Sequence, residues 1–174
     1  MSRCYRPARL VALVLLAIPA YPCSTVVVGK MHKKVDPATE VVRGSDVIVR
    51  AVAVDYAVPP ETNKQTGRIR FNVVEVVQGD AGSELVLDGE LVDRDDFNVR
   101  PVPYDSPRAN GLAGSCYAWQ YRAGQQYLLM LKRVKPAGLT VNWYPLGPVN
   151  EQLHSPQDEW LTWVRTVAEN RKRP

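Results

Sequence analysis

The chain is poor in the residue types that most often carry chemistry. Its 174 residues include three cysteines and two histidines, His32 and His154. A zinc centre built from one chain needs three or four nitrogen, sulfur or carboxylate ligands. Neither histidine has a cysteine or a second histidine near it in sequence, so no metal site is expected. A Gly-x-Ser-x-Gly elbow, a phosphate-binding loop and a His-Glu-x-x-His helix are all missing. No catalytic residue and no cofactor is therefore expected, although a triad assembled from distant positions leaves no local motif. There are no internal repeats and no low-complexity blocks. The longest apolar run, Leu10 to Pro19, is about half the roughly 20 residues that a membrane span requires.

That short run has a different meaning. Arg3, Arg6 and Arg9 precede it and the small residue Ala20 follows it, the pattern of an export signal over residues 1–20. Residues 21–174 are then expected to form one secreted or periplasmic domain without a membrane span. The competing reading is an uncleaved N-terminal anchor. Cleavage would remove three basic residues and no acidic one, so the 22 Lys and Arg fall to 19 against 18 Asp and Glu. The apparent basic character belongs largely to the signal, and nucleic acid is not an expected partner. Cys4 would leave with the signal. Cys23 and Cys116 would remain, an even pair in an oxidising compartment and a candidate disulfide. Its loop of about 90 residues would contribute roughly 4–5 kcal/mol by chain-entropy reasoning. Lipid attachment at Cys23 competes with this, but Pro22 stands where a small residue is normally required.

Along the chain, Val26 to Val28 could form a short strand. Asp36, Pro37 and Glu40 mark a helix start, with an end expected near Gly44. Strands are expected over 46–56, 68–77 and from Glu84 to Leu87, where β-branched residues partly alternate with polar ones. Residues 93–115 read as a long loop of the functional or mobile kind, with Asp93, Asp95, Asp96, three prolines and two glycines. Strands then follow at 125–131 and 139–144. Ser155 and Pro156 predict a helix over about 156–169, whose apolar stripe Trp160, Leu161, Trp163, Val164 and Val167 should pack on the sheet. Five strands with an early and a terminal helix suit a mainly β fold, a closed five-stranded barrel of the OB type.

Several of these segments occur in a telling order. Cys23 stands near the expected mature start, Ser45 to Ala51 opens the first strand, Val74 to Gly79 closes the second, and Cys116 is followed by Gly124 to Leu131. Over roughly residues 23–150 this order resembles the netrin-like module, and within it the N-terminal domain of the tissue inhibitors of metalloproteinases. The resemblance implies an OB barrel with Cys23 bonded to Cys116. It also implies that the α-amino group and carbonyl of Cys23 could chelate a protease's catalytic zinc, with Ser24 directed into the specificity pocket. Such a bidentate ligand would replace the zinc-bound water. Thr25 stands where the family usually has a second cysteine. Cleavage after Ala20 would leave Tyr21 and Pro22 in front of the chelating amine.

The expectation is a non-catalytic protein-binding module acting on another exported protein, with a metalloprotease as the partner the resemblance suggests. The candidate recognition surfaces are a ridge of Cys23, Ser24 and Thr25 and a loop containing Asp93, Asp95, Asp96 and Tyr104. Tyr117 and Trp119 follow Cys116 and, with Tyr121 and Arg122, either contact a ligand or cover the barrel end. Two other classes compete. One is a metal-assisted hydrolase using Asp93, Asp95, Asp96 and His154, although Asp-x-Asp-Asp lacks the glycine and distal glutamate of a calcium loop. The other is a structural envelope protein without a soluble partner.

Overall fold

The computed structural model describes residues 36–113, 116–136 and 138–171. The first helix, α1 (Pro37–Gly44), starts as its sequence predicts: the Asp36 carboxylate accepts from the backbone N–H of Ala38 and of Thr39, and Pro37 occupies the first turn. Seven strands follow in mixed lengths: β1 (Val47–Val58), β2 (Gly67–Gln78), β3 (Glu84–Val92), β4 (Gln120–Arg122), β5 (Gln126–Val134), β6 (Gly138–Val141) and β7 (Asn150–Gln152). A four-residue helix, α2 (Ala109–Leu112), interrupts the long segment between β3 and β4, and α3 (Glu159–Arg171) closes the described chain.

The strands form one sheet in the order β4-β3-β2-β1-β5-β6, and β7 pairs with the first half of β5. All neighbours are antiparallel except β3 and β4. Four register shifts between β1 and β2 bend both strands and curl the sheet. The curl makes two apolar compartments. On the inner side Val47, Val49, Ala51 and Ala53 of β1 meet Ile69, Phe71, Tyr127, Leu129 and Leu131. On the outer side Ile48, Leu128 and Met130 meet α1 and α3. Consecutive residues of a strand face opposite ways. A strand covered on both sides therefore reads as a continuous apolar run, which is why residues 127–131 carry no alternation.

The expected closed five-stranded barrel is not formed. The path β3-β2-β1-β5-β6 curls into an open half-barrel, and among the described residues β3 and β6 are not paired. A cleft of about 360 Å³ lies in the seam, lined by Arg68, Leu87, Asp88, Tyr117, Leu139 and Val141. Two features keep it open. β6 is only four residues long, because Asn142 turns toward α1 and donates to Val41 O and Ser45 Oγ. The end of β3 is also occupied, since Glu90 to Val92 pair in parallel with β4. That pairing needs Gly89, where a Cβ would lie 2.7 Å from the Tyr121 ring.

The terminal helix begins later than expected. Residues 155–158 form a turn in which Asp158 N–H donates to Ser155 O. Asp158, rather than Ser155, caps α3: its carboxylate accepts from Trp160 N–H at 2.8 Å and from His154 N–H at 2.8 Å. A carboxylate at a helix N-terminus satisfies an orphan donor and complements the helix dipole. Trp160 is fully buried and stacks between Tyr104 at 4.8 Å and Trp163 at 5.1 Å, so the tryptophan pair packs on the sheet as expected. Among the described residues no helix is long and apolar enough to cross a membrane.

Candidate functional site

The long segment after β3 is held by a buried polar network centred on Arg108. Sequence reading treats residues 93–115 as a loop that is functional or mobile. Its described part, 93–113, is fastened from beneath. The Arg108 side chain is fully buried, and its guanidinium donates to Asp96 Oδ2 at 2.9 Å, Gln120 O at 2.6 Å and, through Nε, Asn150 O at 3.1 Å. It lies 5.4 Å from the ring centroids of both Tyr121 and Tyr127. The planar guanidinium combines a fork of donors with a face that packs on aromatic rings, which a lysine does not.

Glu151 on β7 is the second charged member, and it too is fully buried. Its two oxygens accept from Arg108 backbone N–H at 3.3 Å and from Asn98 Nδ2 at 3.0 Å. Burial pushes its carboxyl up to about 7, against the opposing pull of the Arg108 charge and the Asn98 hydrogen bond. Asn98 also donates to Ser106 O at 2.8 Å, which ties the segment to itself. Asn110 completes the frame: its Oδ1 accepts from the N–H groups of Trp119 and Gln120 at 2.9 and 3.1 Å. Asn150 Nδ2 donates to Tyr121 Oη at 2.6 Å and to Ala118 O.

The residues singled out from sequence fall into separate places. Asp93 is exposed. Asp95 accepts from Gln152 Nε2 at 2.6 Å and pairs with Arg122 at 2.5 Å. Asp96 is committed to Arg108 and to Asn110 N–H. Tyr104, expected in a binding loop, is instead core: it is buried beneath the segment against Trp160, and burial pushes its hydroxyl up to about 12. Tyr117 is half-buried in the β3–β6 seam, and its hydroxyl is also pushed up by burial. Trp119 is half-buried, its carbonyl accepting from Glu90 N–H at 3.0 Å. His154 stacks on Phe97 at 4.3 Å. Asp93, Asp95, Asp96 and His154 are therefore not gathered as a metal site, and no such cluster occurs among the described residues. The ridge Cys23, Ser24 and Thr25, the strand at Val26 to Val28, the signal over 1–20 and Gly114 lie outside the described residues.

Cys116 sits at the far end of this segment with a left-handed backbone, φ 67°, and its carbonyl accepts from Leu146 N–H at 2.8 Å. Leu146 is itself left-handed at φ 58°. Two non-glycine residues in that region cost on the order of 1 kcal/mol each and persist only when neighbours hold them. Above the network, Val99 projects with 92% of its surface exposed. It borders a groove of about 430 Å³ lined by Arg100, Val102, Tyr104, His154 and Asp158.

Arg108, Asn98, Asn110, Asn150 and Glu151 escaped the sequence reading. The usable signal was at 150–152, three polar residues between Val149 and Leu153 that form a buried strand. Chemically, the network is a frame. Its charged groups are spent on one another, on Asn98 and on backbone groups, while the surface it supports presents the exposed Val99 beside Arg100, His154 and Asp158. Comparison with known proteins finds no matching family model and no matching curated protein.

Proposed function

We propose that the chain is an exported, non-catalytic protein-binding module, whose recognition edge is the surface of segment 97–104 carried on the Arg108 network. The supporting observation is the contrast between Arg108, which is buried and fully engaged, and Val99, which is 92% exposed two residues after Phe97. A large apolar side chain on a rigidly held segment is pre-organised for docking, because little conformational entropy remains to be lost on binding. The enzyme reading lacks comparable support, since Asp96 is tied to Arg108, Asp95 is tied to Arg122 and Gln152, and Asp93 stands apart on the surface.

The finer reading is a secreted or periplasmic netrin-like domain related in kind to the tissue inhibitors of metalloproteinases. In that reading Cys23 is bonded to Cys116, and Cys23, Ser24 and Thr25 form a second recognition ridge. Intact mass of the exported protein, alkylated with and without reduction, tests the covalent part. A chain beginning at Cys23 that gains two alkyl groups only after reduction supports the inhibitor form. A chain beginning at Tyr21 blocks the chelating amine and leaves the general binding module. For the recognition edge, the immobilised full chain is challenged with the exported fraction. The captured protein is identified by mass, and its affinity is compared for the wild type and for Val99→Asp. At least tenfold weaker binding with unchanged melting temperature is expected. Equal affinity removes this edge, and capture of nothing removes the module.

A further inference from the structure

We propose that Glu151 makes the grip on segment 95–110 dependent on pH, tight in acid and loosened as the solution passes through neutrality. The argument begins with a charge count. Among the described residues, the interior beneath the segment holds one cation, Arg108, and two carboxylates, Asp96 and Glu151. One guanidinium neutralises one carboxylate, and Asp96 takes it at 2.9 Å while retaining 16% side-chain exposure. Glu151 has no exposure at all, and what reaches it is the Arg108 backbone N–H and the neutral Asn98 amide. A buried carboxylate whose hydrogen bonds come only from neutral donors is costly to charge even with the Arg108 charge nearby, so the closed state favours the protonated form.

These two hydrogen bonds are among those that join β7 to the segment, with Arg108 Nε on Asn150 O and Gln152 on Asp95 and Asp96. Opening the segment would therefore expose Glu151 to water, where its carboxyl regains the ordinary value of 4.5 in place of about 7. The closed state binds the proton more tightly than the open one. Closure is thus fully favoured below the open-state value and loses ground as pH rises through the closed-state value. Opening becomes about tenfold easier per pH unit across that window and levels off above it, a total on the order of a hundredfold.

Other titratable groups face this site from every side. Asp95 and Asp96 lie on the segment itself. Tyr121 of β4 and Tyr127 of β5 flank Arg108, and burial keeps both hydroxyls neutral through this range. Tyr104 and Asp158 lie toward α3, and the His154 ring stacks on Phe97 next to Asn98. His154 touches the segment directly through Phe97, so a variant at that position serves as the control.

The latch deepens the recognition reading, but it is measured without any partner. The probe is hydrogen exchange on the full chain between pH 4.5 and 8, corrected for intrinsic rates, at the amides of Asp96, Arg108 and Asn110. These amides donate to Gln152, Glu151 and Asp96 respectively. Their protection should fall on the order of a hundredfold with rising pH, while that of Leu129 in β5 stays level. Glu151→Gln should abolish the change and His154→Asn should keep it. A flat wild-type profile, a change that survives Glu151→Gln, or one lost in His154→Asn overturns the proposal. If Glu151→Gln does not fold, carbon-detected titration of the wild-type Glu151 carboxyl decides. A midpoint near neutrality supports the latch, and one near the ordinary glutamate value overturns it. Neither result bears on Val99, so failure of the latch is distinct from failure of the recognition edge.

Discussion

Arg108 and Asp96 meet at 2.9 Å beneath the long segment after β3, with the arginine side chain wholly out of water. The pair joins two turns of irregular chain that no strand ladder holds. Its partners extend to β4 through Gln120 O and to β7 through Asn150 O. An irregular segment of this length keeps one conformation only if its backbone polar groups find partners, and Arg108 supplies several at once.

Replacing Arg108 by methionine should therefore be among the most damaging single changes. It leaves Asp96, Gln120 O and Asn150 O without their donor. Breaking a buried pair by removing one partner typically costs about 3–5 kcal/mol. Urea denaturation should show an unfolding free energy lower by that amount and a correspondingly lower midpoint, and Arg108→Lys should recover only part of it, because an ammonium cannot reproduce the fork.

Gly79 allows a second test that is independent of the network. It follows the last residue of β2 and opens the turn to β3 at φ 79°, and a Cβ there would run into Asp46 O and the Val47 side chain. Gly79→Ala should destabilise by more than about 1 kcal/mol, since the side chain meets both a disfavoured backbone region and fixed backbone atoms. Thermal melts of the two proteins check this, with far-ultraviolet dichroism confirming an unchanged fold.

Glu75 gives the acid side of the pH profile. Arg165 on α3 donates to both of its oxygens, at 2.9 and 2.7 Å, and Arg50 adds a bond at 3.0 Å. The Arg165 hydrogen bond, with smaller help from the charges of Arg165 and Arg50, holds the Glu75 carboxyl below the usual 4.5 against a desolvation penalty. A depressed carboxyl contributes stability above its unfolded value and loses it as pH falls through the folded one. The groups are partly exposed, so the contribution should be under about 1 kcal/mol. Melting temperatures of wild type and Glu75→Gln should differ at pH 7 and converge near pH 3.

Much of the secondary structure was legible because local rules suffice for it. Asp36, Pro37 and Glu40 announce α1, and the β-branched run after Asp46 announces β1. Three-residue strands have no such signature. β4 and β7 each exist only because a partner strand lies beside them. Ser155 carried a local helix-start signal that lost to Asp158, whose carboxylate reaches Trp160 N–H and His154 N–H together. Tyr104 looked like an exposed aromatic in a proline-rich loop, and only the position of Trp160 makes it core.

By itself the sequence determined a mainly β chain with a capped early helix, an apolar terminal helix and an irregular acidic stretch. Those features follow from the spacing of apolar residues and from cap chemistry within a few positions. Tertiary structure alone decided that the sheet stays open between β3 and β6, and that the acidic stretch is a held frame. Both outcomes depend on residues far apart in sequence. Asn142 must reach α1 to stop β6, and Arg108 must meet Glu151 across 43 positions. Periodicity carries no record of such pairings, because each is selected by what the folded chain brings within hydrogen-bonding distance.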